Sequence, residues 1–412
     1  MNIPEERQFT LAEAETRIRP VLAQLQATTR VTSLGNGPCA SLCELHASDG
    51  RWLTAGWGKG EHEAAHVGAL YEAVEHLVTA QNAQEDAHIL TVDELLQGLG
   101  PGLASIVPGV VLADQIEETI ACRRYLPLAG SAAFDYPVLL SAPDYAEAPL
   151  EGDSFDYRPL RRYASNSGTA IGGSIDEAVL HALNECIERD ALSRFLARGF
   201  FRPDAAPLRV LQAARLPEPL AALHARASAL LEADICLLDI STDPGCTTCL
   251  AVAHQTYPHA RPFGAGASLN PAHAARRALH ELVQSHLGLD CGREAVQQGK
   301  TGSPDPRDLL AAWPRLRASA AMDIEALLDA NGTTDAWIHD RRAGTVRQQV
   351  QQLAGALAQR GMRVGYHVLR GFPNGIAIVN VVVPDLDRFH LVLLGNVVVP
   401  GRHADPPASP GG

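Results

Sequence analysis

The stretch "GTAIGGSIDEAVLHALNECIERDA" (residues 168–191) opens with glycines and settles into a helical pattern that carries three glutamates, Glu177, Glu185 and Glu188. At about 100° per residue, Glu177, His181, Asn184, Glu185 and Glu188 share one arc of roughly 100°. Val179, Ala182, Leu183 and Cys186 fall on the opposite face. An amphipathic helix with a wet polar side accounts for this pattern, and Ser174-Ile175-Asp176-Glu177 fits a capping box, which gives Glu177 a structural role of its own. One helix taken alone does not distinguish a solvated face from a site.

The rest of the chain repeats the arrangement. Ala65, Ala69, Glu72 and Glu75 form one set, Ala178, Ala182, Glu185 and Glu188 a second, and Ala274, Ala278, Glu281 and Gln284 a third. Each set follows glycines: Gly58 and Gly60, then Gly168, Gly172 and Gly173, then Gly264 and Gly266. Positions three and four apart share a helix face, and small alanines there let another backbone or a ligand come close. A solvated face has no reason to keep acids at one offset from two alanines. Carboxylates held together repel unless a cation compensates. Mg²⁺ suits such a cluster, since it takes one or two carboxylates and completes its shell with water and phosphate oxygens. Arg189 can meet a phosphate bidentately, and Lys59, in the glycine-flanked "GWGKG", as a point charge. The pieces suggest a nucleotide with Mg²⁺. "GKT" (residues 299–301) lacks the upstream glycine of a Walker A loop.

The 412 residues are 46% hydrophobic and 20% charged, as in a globular protein of one large domain or a few subdomains. A net charge of -13 argues against nucleic-acid binding. The polar N-terminus is no signal peptide, no apolar run reaches the roughly 20 residues of a membrane span, and a cytoplasmic protein is expected. The eight cysteines are scattered, so no disulfide framework is expected. The pattern predicts helices over about 5–26 and 61–80 and from Asn270-Pro271, where Asn caps and Pro takes the first helical position. It predicts a hairpin turning at Ser48-Asp49-Gly50, a strand at "GVVLA" (109–113), and a loop over 141–160. Strands are expected at "ADICLLDIST" and "TTCLAVAHQT", around a turn at Asp243-Pro244-Gly245. Three more are expected at "RVGYHVLRG", "GIAIVNVVVP" and "FHLVLLGNVVVP". The fold class is α+β, a mixed α/β order without strict βαβ periodicity, ending in a Pro/Gly tail.

The glycine–helix segments carry a family resemblance. "SNSGTAIGGSIDEAVLHALNECIERDA" (165–191) resembles the signature of the YcaO family, "GKGEHEAAHVGALYEAVEH" (58–76) its first motif and "ASLNPAHAARRALHELVQS" (267–285) its third. "LLDISTDPGCTTCLAVA" and "IVNVVVPDLD" are similar to two of its core strands. The resemblance implies a YcaO-type ATP-binding fold of repeated strand, glycine-loop and helix units, neither P-loop nor ATP-grasp. It implies a helix and first strand over 1–45, a catalytic domain over 46–400 (subdomains near 46–140, 161–300 and 301–400) and a tail over 401–412. By motif, Glu72, Glu75, Glu177, Glu185, Glu188 and Glu281 would ligate Mg²⁺ or its waters. Lys59, Ser165, Asn166, Arg189 and Gln284 would contact ATP.

The implied activity is that of a peptide cyclodehydratase. A Cys, Ser or Thr side chain of a ribosomal precursor peptide attacks the preceding carbonyl carbon. The amide-derived oxygen is phosphorylated and leaves as phosphate, giving a thiazoline or oxazoline. The expected partners are the precursor, a separate E1-like leader-binding protein, since no room remains for a fused one, and an FMN-dependent dehydrogenase in one synthetase complex. Two features depart from the family pattern. His76 stands where Arg is usual. The tail "DPPASPGG", with Pro406, Pro407 and Pro410, is not the Pro-x-Pro-x-Pro ending whose terminus lies near the active site in azoline-forming members. The general base is not readable.

Rival readings come from other motifs. His62-Glu63-Ala64-Ala65-His66 matches the zinc peptidase pattern, with 18 residues between His66 and Glu85. Cys246 and Cys249 with Cys39 and Cys43 suggest a four-cysteine zinc site, although strand neighbours face opposite ways. His280 and His286, six apart, do not share a helix face. A non-catalytic scaffold would be free to lose its acids, which here are intact. Within catalysis the rival is thioamide formation, with external sulfide as nucleophile.

Overall fold

A computed structural model describes residues 3–81, 83–99, 107–130, 132–242, 245–254, 262–297, 304–339 and 343–401. The repeated segments form three strand-and-helix units. In the first, strand β3 (Trp52–Gly60) leads into α2 (His62–Gln81); in the second, β7 (Thr169–Gly172) leads into α5 (Ile175–Leu196); in the third, β11 (Phe263–Ser268) leads into α7 (Pro271–Gln297). The alanines of the repeat explain the glycines before them. A Cβ on Gly58 would stand 1.8 Å from the Ala65 carbonyl oxygen and 2.4 Å from the Ala69 nitrogen. One on Gly266 would stand 2.3 Å from the Ala274 oxygen, one on Gly264 2.2 Å from the Ala278 oxygen, and one on Gly172 2.4 Å from the Ala178 nitrogen. Each helix therefore lies with its backbone directly against a strand backbone, and all six alanines are fully buried at that seam. Only glycine against alanine permits this approach.

Each unit belongs to its own sheet. β1 (Ala27–Leu34), β2 (Cys39–Ala47) and β3 form an antiparallel meander in which Cys39 pairs with Gly60 and Glu44 with Ala55. The second sheet runs β11, β10 (Thr247–Ala253), β9 (Ile235–Asp239), β8 (Leu208–Leu211) and β12 (Thr333–Ala336), antiparallel except for β8 with β12. The third runs β4 (Ala87–Thr91), β5 (Thr119–Pro127), β13 (Gly365–Gly371), β14 (Ala377–Val382) and β7, with β6 (Phe134–Pro137) on β5. The apolar side of α5 (Val179, Leu183, Ile187) packs on Val379 and Val381 of β14, and on Val350 and Leu353 of α8 (Val346–Gln359). Burial of each such side chain stabilises by about 1.5–3 kcal/mol. α2 packs under α1 (Leu11–Gln24), and α7 against α6 (Glu218–Leu231).

The hairpin, the strands β9, β10, β13 and β14, and the Asn270-Pro271 helix start are as predicted; Asn270 Oδ1 accepts from Ala272 N at 3.1 Å. Three elements differ. α1 starts at Leu11, not near residue 5, because Thr10 and Glu13 close a capping box there. "GVVLA" is not a strand but lies in a short helix, α4 (Val107–Ala113), following α3 (Val92–Leu99). A short apolar run has no period of its own, and burial of Leu112 under this layer decides for helix. "FHLVLLGNVVVP" is also no strand: Phe389–Leu394 is a 3-10 turn closed by Gly395 at φ 84°, and Phe389, Leu391 and Val392 are buried without joining a sheet. The 243–244 turn residues, "GKT" and the tail with Pro406, Pro407 and Pro410 lie outside the described residues. Among the described residues, no helix is long and apolar enough to cross a membrane.

Candidate functional site: a carboxylate and arginine cluster between three helices

The three seams set the axial position of each helix and so the position of its acids. Glu72 and Glu75 project from α2, Glu185, Glu188 and Arg189 from α5, and Arg277 and Glu281 from α7. Lys59 reaches from β3 to Glu281 with Nζ 2.6 Å from Oε2. Arg189 Nε stands 3.5 Å from Glu185 Oε1 and its Nη1 3.8 Å from Glu188 Oε1. Arg277 Nη2 lies 4.0 Å from Glu188 Oε2. The Ile171 N–H of β7 donates to Glu75 at 2.8 Å, and the Gly168 N–H to Glu185 at 3.2 Å. The second unit's strand and loop thus bind acids from both its own helix and the first unit's.

The charges act on one another across the units. Burial, reinforced by Glu72 and Glu185, pushes the Glu75 carboxyl well above the usual carboxylate range. Desolvation raises Glu72, with Glu281 adding to it and His76 and Lys59 opposing. Burial and then Glu281 raise Glu188. Burial works against the Glu281 charge too, but Lys59, Arg189 and Arg277 together draw that carboxyl below its ordinary value. Glu188 is 2% exposed, yet its Oε2 has no hydrogen-bond partner. A buried carboxylate oxygen left bare, among acids of which Glu72, Glu75 and Glu188 are raised, fits a divalent cation with an anionic ligand. Among the described residues no three His, Cys, Asp or Glu side chains form a ready-made cage.

The remaining predicted residues are placed differently. Both Glu177 oxygens are taken by backbone N–H groups, one from Gly173 at 2.7 Å and one from Gln8. Ser174 caps α5 through the Glu177 N–H at 3.2 Å, so the carboxylate reaches one residue beyond the capping box. Ser165 bonds the Ser167 hydroxyl at 2.8 Å in the loop that leads to Gly168, Asn166 is exposed beside it, and Gln284 is half-buried one turn after Glu281. His76 bonds the Ala55 carbonyl oxygen at 2.8 Å and faces Glu72 at 3.8 Å, so it stays with its own unit.

Arg277 and Glu6 are site residues that the sequence patterns did not bring forward. Arg277 stands one turn before Glu281 on the same face, and that spacing was the available signal. Glu6 carried none: it is brought in by the segment before α1. The rival zinc motifs do not assemble. His62 and Glu63 are exposed, Glu85 is exposed, and Cys39, Cys43, Cys246 and Cys249 are buried thiols in the core.

A second buried network lies at the far end of α5. Asp190 pairs with Arg194 at 2.8 Å and accepts from Asp387 N at 2.9 Å. Asp387 accepts from the N–H groups of Phe389 at 3.0 Å and Gly401 at 2.8 Å, and burial pushes its carboxyl up to about 6. This network ties the last described residues to the helix that carries Arg189.

Three glycine-seated helices bring acids and arginines together in an arrangement suited to a metal-bound anion. The chain belongs to the YcaO family: the family model, described as a YcaO cyclodehydratase binding ATP and Mg²⁺, matches residues 57–387. ATP and Mg²⁺ are accordingly its ligands. It is similar to an uncharacterized protein of Methanothermobacter thermautotrophicus, 29% identical over 55% of this chain and 56% of that one. An uncharacterized protein in the tfuA 3′ region of Rhizobium leguminosarum bv. trifolii is 26% identical over 93% of this chain and 89% of that one. Among solved structures, a heterocyclase in complex with substrate and cofactor superposes with a TM-score of 0.67 at 18% identity, over 93% of this chain and 53% of that one. YcaO from Methanopyrus kandleri bound with AMPPCP and Mg²⁺ superposes at 0.65 with 19% identity, over 98% and 97%. The E. coli microcin synthetase McbBCD complex does so at 0.62 with 15%, over 88% of each. The chain spans about half the length of the Methanothermobacter protein and of the heterocyclase.

Proposed function

We propose that this protein uses ATP to activate a backbone amide of a ribosomal precursor peptide, so that a Cys, Ser or Thr side chain closes to a thiazoline or oxazoline. The carrying observation is the convergence of Glu72, Glu75, Glu185, Glu188 and Glu281 with Lys59 and Arg189 from three separate units in a YcaO chain. Glu188, with its bare Oε2, and Glu185, Glu72, Glu75 and Glu281 are the residues that would hold Mg²⁺ directly or through water. Lys59 and Arg189 would meet the phosphates, with Ser165, Asn166 and Gln284 at the margins for the rest of the nucleotide. ATP supplies the phosphoryl group, and Mg²⁺ neutralises the charge it carries.

The reaction forms a C–S or C–O bond at the carbonyl carbon. The side chain gives up its S–H or O–H proton as it attacks, the former carbonyl oxygen takes the phosphoryl group and departs as phosphate, and loss of the amide proton leaves C=N. The chain's own part is positioning and charge neutralisation. A separate E1-like leader-binding protein would deliver the precursor, with an FMN-dependent dehydrogenase as a further component. Glu177, with both oxygens on backbone amides, would reach the metal only by giving these up.

Thioamide formation with external sulfide is the second reading. One measurement separates the two. Mass spectrometry of the precursor after incubation with ATP and partner gives a loss of about 18 Da per ring for cyclodehydration and, with sulfide, a gain of about 16 Da for exchange of oxygen by sulfur. An unchanged peptide alongside unchanged ATP would refute both.

A further inference from the structure

The segment before α1 is bonded to the N-terminal ends of two site helices. Glu5 accepts from the amide of Asn270, the cap of α7, at 2.7 Å, and Gln8 accepts from the hydroxyl of Ser174, the cap of α5. Between them Glu6 turns inward with left-handed backbone, φ 61°, a conformation that non-glycine residues seldom adopt and that tends to be held where the surroundings demand it. Glu6 Oε1 accepts from Ser268 Oγ at 2.6 Å and from Asn184 Nδ2 at 3.2 Å. Its Oε2 faces His273 Nε2 at 3.5 Å and Arg277 Nη1 at 3.6 Å.

Arg277 is therefore shared. Glu6 and the His181 ring nitrogen, 3.2 Å away, hold its Nη1, while its Nη2 stops 4.0 Å short of the bare Glu188 Oε2. We propose that Glu6 is a positioning residue for the metal site: it holds the Arg277 guanidinium back from Glu188 and so leaves that carboxylate free for a divalent cation. The inference rests on the reading of Glu188 as a Mg²⁺ ligand. Without the Glu6 charge, Glu188 and Glu281 are left to attract Arg277, and Glu188 is the one already within 4.0 Å of its Nη2. A closed Arg277–Glu188 pair then competes with the cation for the same oxygens.

The test uses the full chain without nucleotide, titrated with Mn²⁺ and followed by the loss of the free-ion EPR signal. Wild type is compared with Glu6→Gln, Glu6→Gln/Arg277→Gln and Glu188→Gln, with thermal unfolding of each recorded. Glu188→Gln should weaken Mn²⁺ binding about tenfold and Glu6→Gln about fivefold, while the double variant returns to within about twofold of wild type. Wild-type affinity in Glu6→Gln, with Glu188→Gln weakened, overturns the role of Glu6 and leaves the metal assignment standing. A double variant as weak as Glu6→Gln also overturns it, because Glu6 would then act only by docking its segment. No effect of Glu188→Gln removes the metal assignment itself, and the inference with it.

Discussion

Replacing Gly58 by alanine tests whether the backbone seam builds the site. The added Cβ would stand 1.8 Å from the Ala65 oxygen and 2.4 Å from the Ala69 nitrogen, both main-chain atoms of α2. Ordinary contact begins near 3.4 Å, so the helix must retreat by about 1.6 Å, and no flexible side chain can give way instead. Overpacking of this kind costs about 3 kcal/mol, the upper end of its usual range. The retreat carries Glu72 and Glu75 away from Lys59 and Glu281. A displacement of about 1 Å at such a site costs on the order of a hundredfold in rate. Urea unfolding should show a lower midpoint at unchanged slope, and ATP consumption with precursor and partner should fall about a hundredfold. Gly355, in α8 with open space around its Cβ position, is the control; Gly355→Ala should stabilise by about 0.5–1 kcal/mol and leave ATP use unchanged. If Gly58→Ala unfolds and turns over like wild type, the seam does not set the acids and the reasoning fails.

Glu188→Gln and Arg189→Ala should each abolish ATP consumption while circular dichroism and the unfolding midpoint show a retained fold; normal turnover in both would refute the site. Burial opposes the Glu6 charge, but His273, Arg277 and Ser268 hold its carboxyl down at about 2 against an ordinary 4.5. A depressed carboxyl stabilises the fold above its unfolded value and loses this as pH falls toward the folded one. The penalty of Glu6→Gln should therefore be about 3 kcal/mol at neutral pH and about 2 kcal/mol at pH 3.5, measured by denaturant titration. Asp387 has the opposite sign: its carboxyl is raised from 3.8 to about 6, so the native state binds the extra proton and stability falls as pH rises through this window. Asp387→Asn should gain about 2 kcal/mol on wild type between pH 4 and pH 8, offset at every pH by about 1 kcal/mol for one lost N–H acceptor.

What the sequence revealed and what it concealed follow from the range of the forces involved. The glycines and alanines of the three units are a local record of backbone-to-backbone contact, and a period of 3.6 puts Glu185 and Glu188 on one face wherever the helix sits. That the three faces meet had to be inferred from their likeness, and the Lys59–Glu281 pair joins residues 222 apart. Arg277 lay within the third repeat but off its template of two alanines and two polar residues. Glu6 contacts Ser268 across 262 positions, and no neighbour in sequence marks it. Glu177 had two readings because a carboxylate at a helix start serves an amide as well as a metal; its partners, Gln8 and Gly173, favour the amide. The runs at 109–113 and 389–394 fold as helix and 3-10 turn, since buried chain without alternation is equally apolar as helix, turn or strand.

The described cysteines have a consequence for experiments on thiol-bearing peptides. All carry thiols and, except half-buried Cys186, are buried. Burial pushes the Cys43 and Cys236 thiols up to about 11 and Cys186 up to about 12. At neutral pH these thiols are protonated and shielded, and they are poor nucleophiles toward either an alkylating reagent or an activated carbonyl. A maleimide added to a mixture of this protein and a cysteine-bearing precursor would thus count the peptide's sulfurs against little labelling of these described thiols, and the disappearance of that count would time ring closure directly.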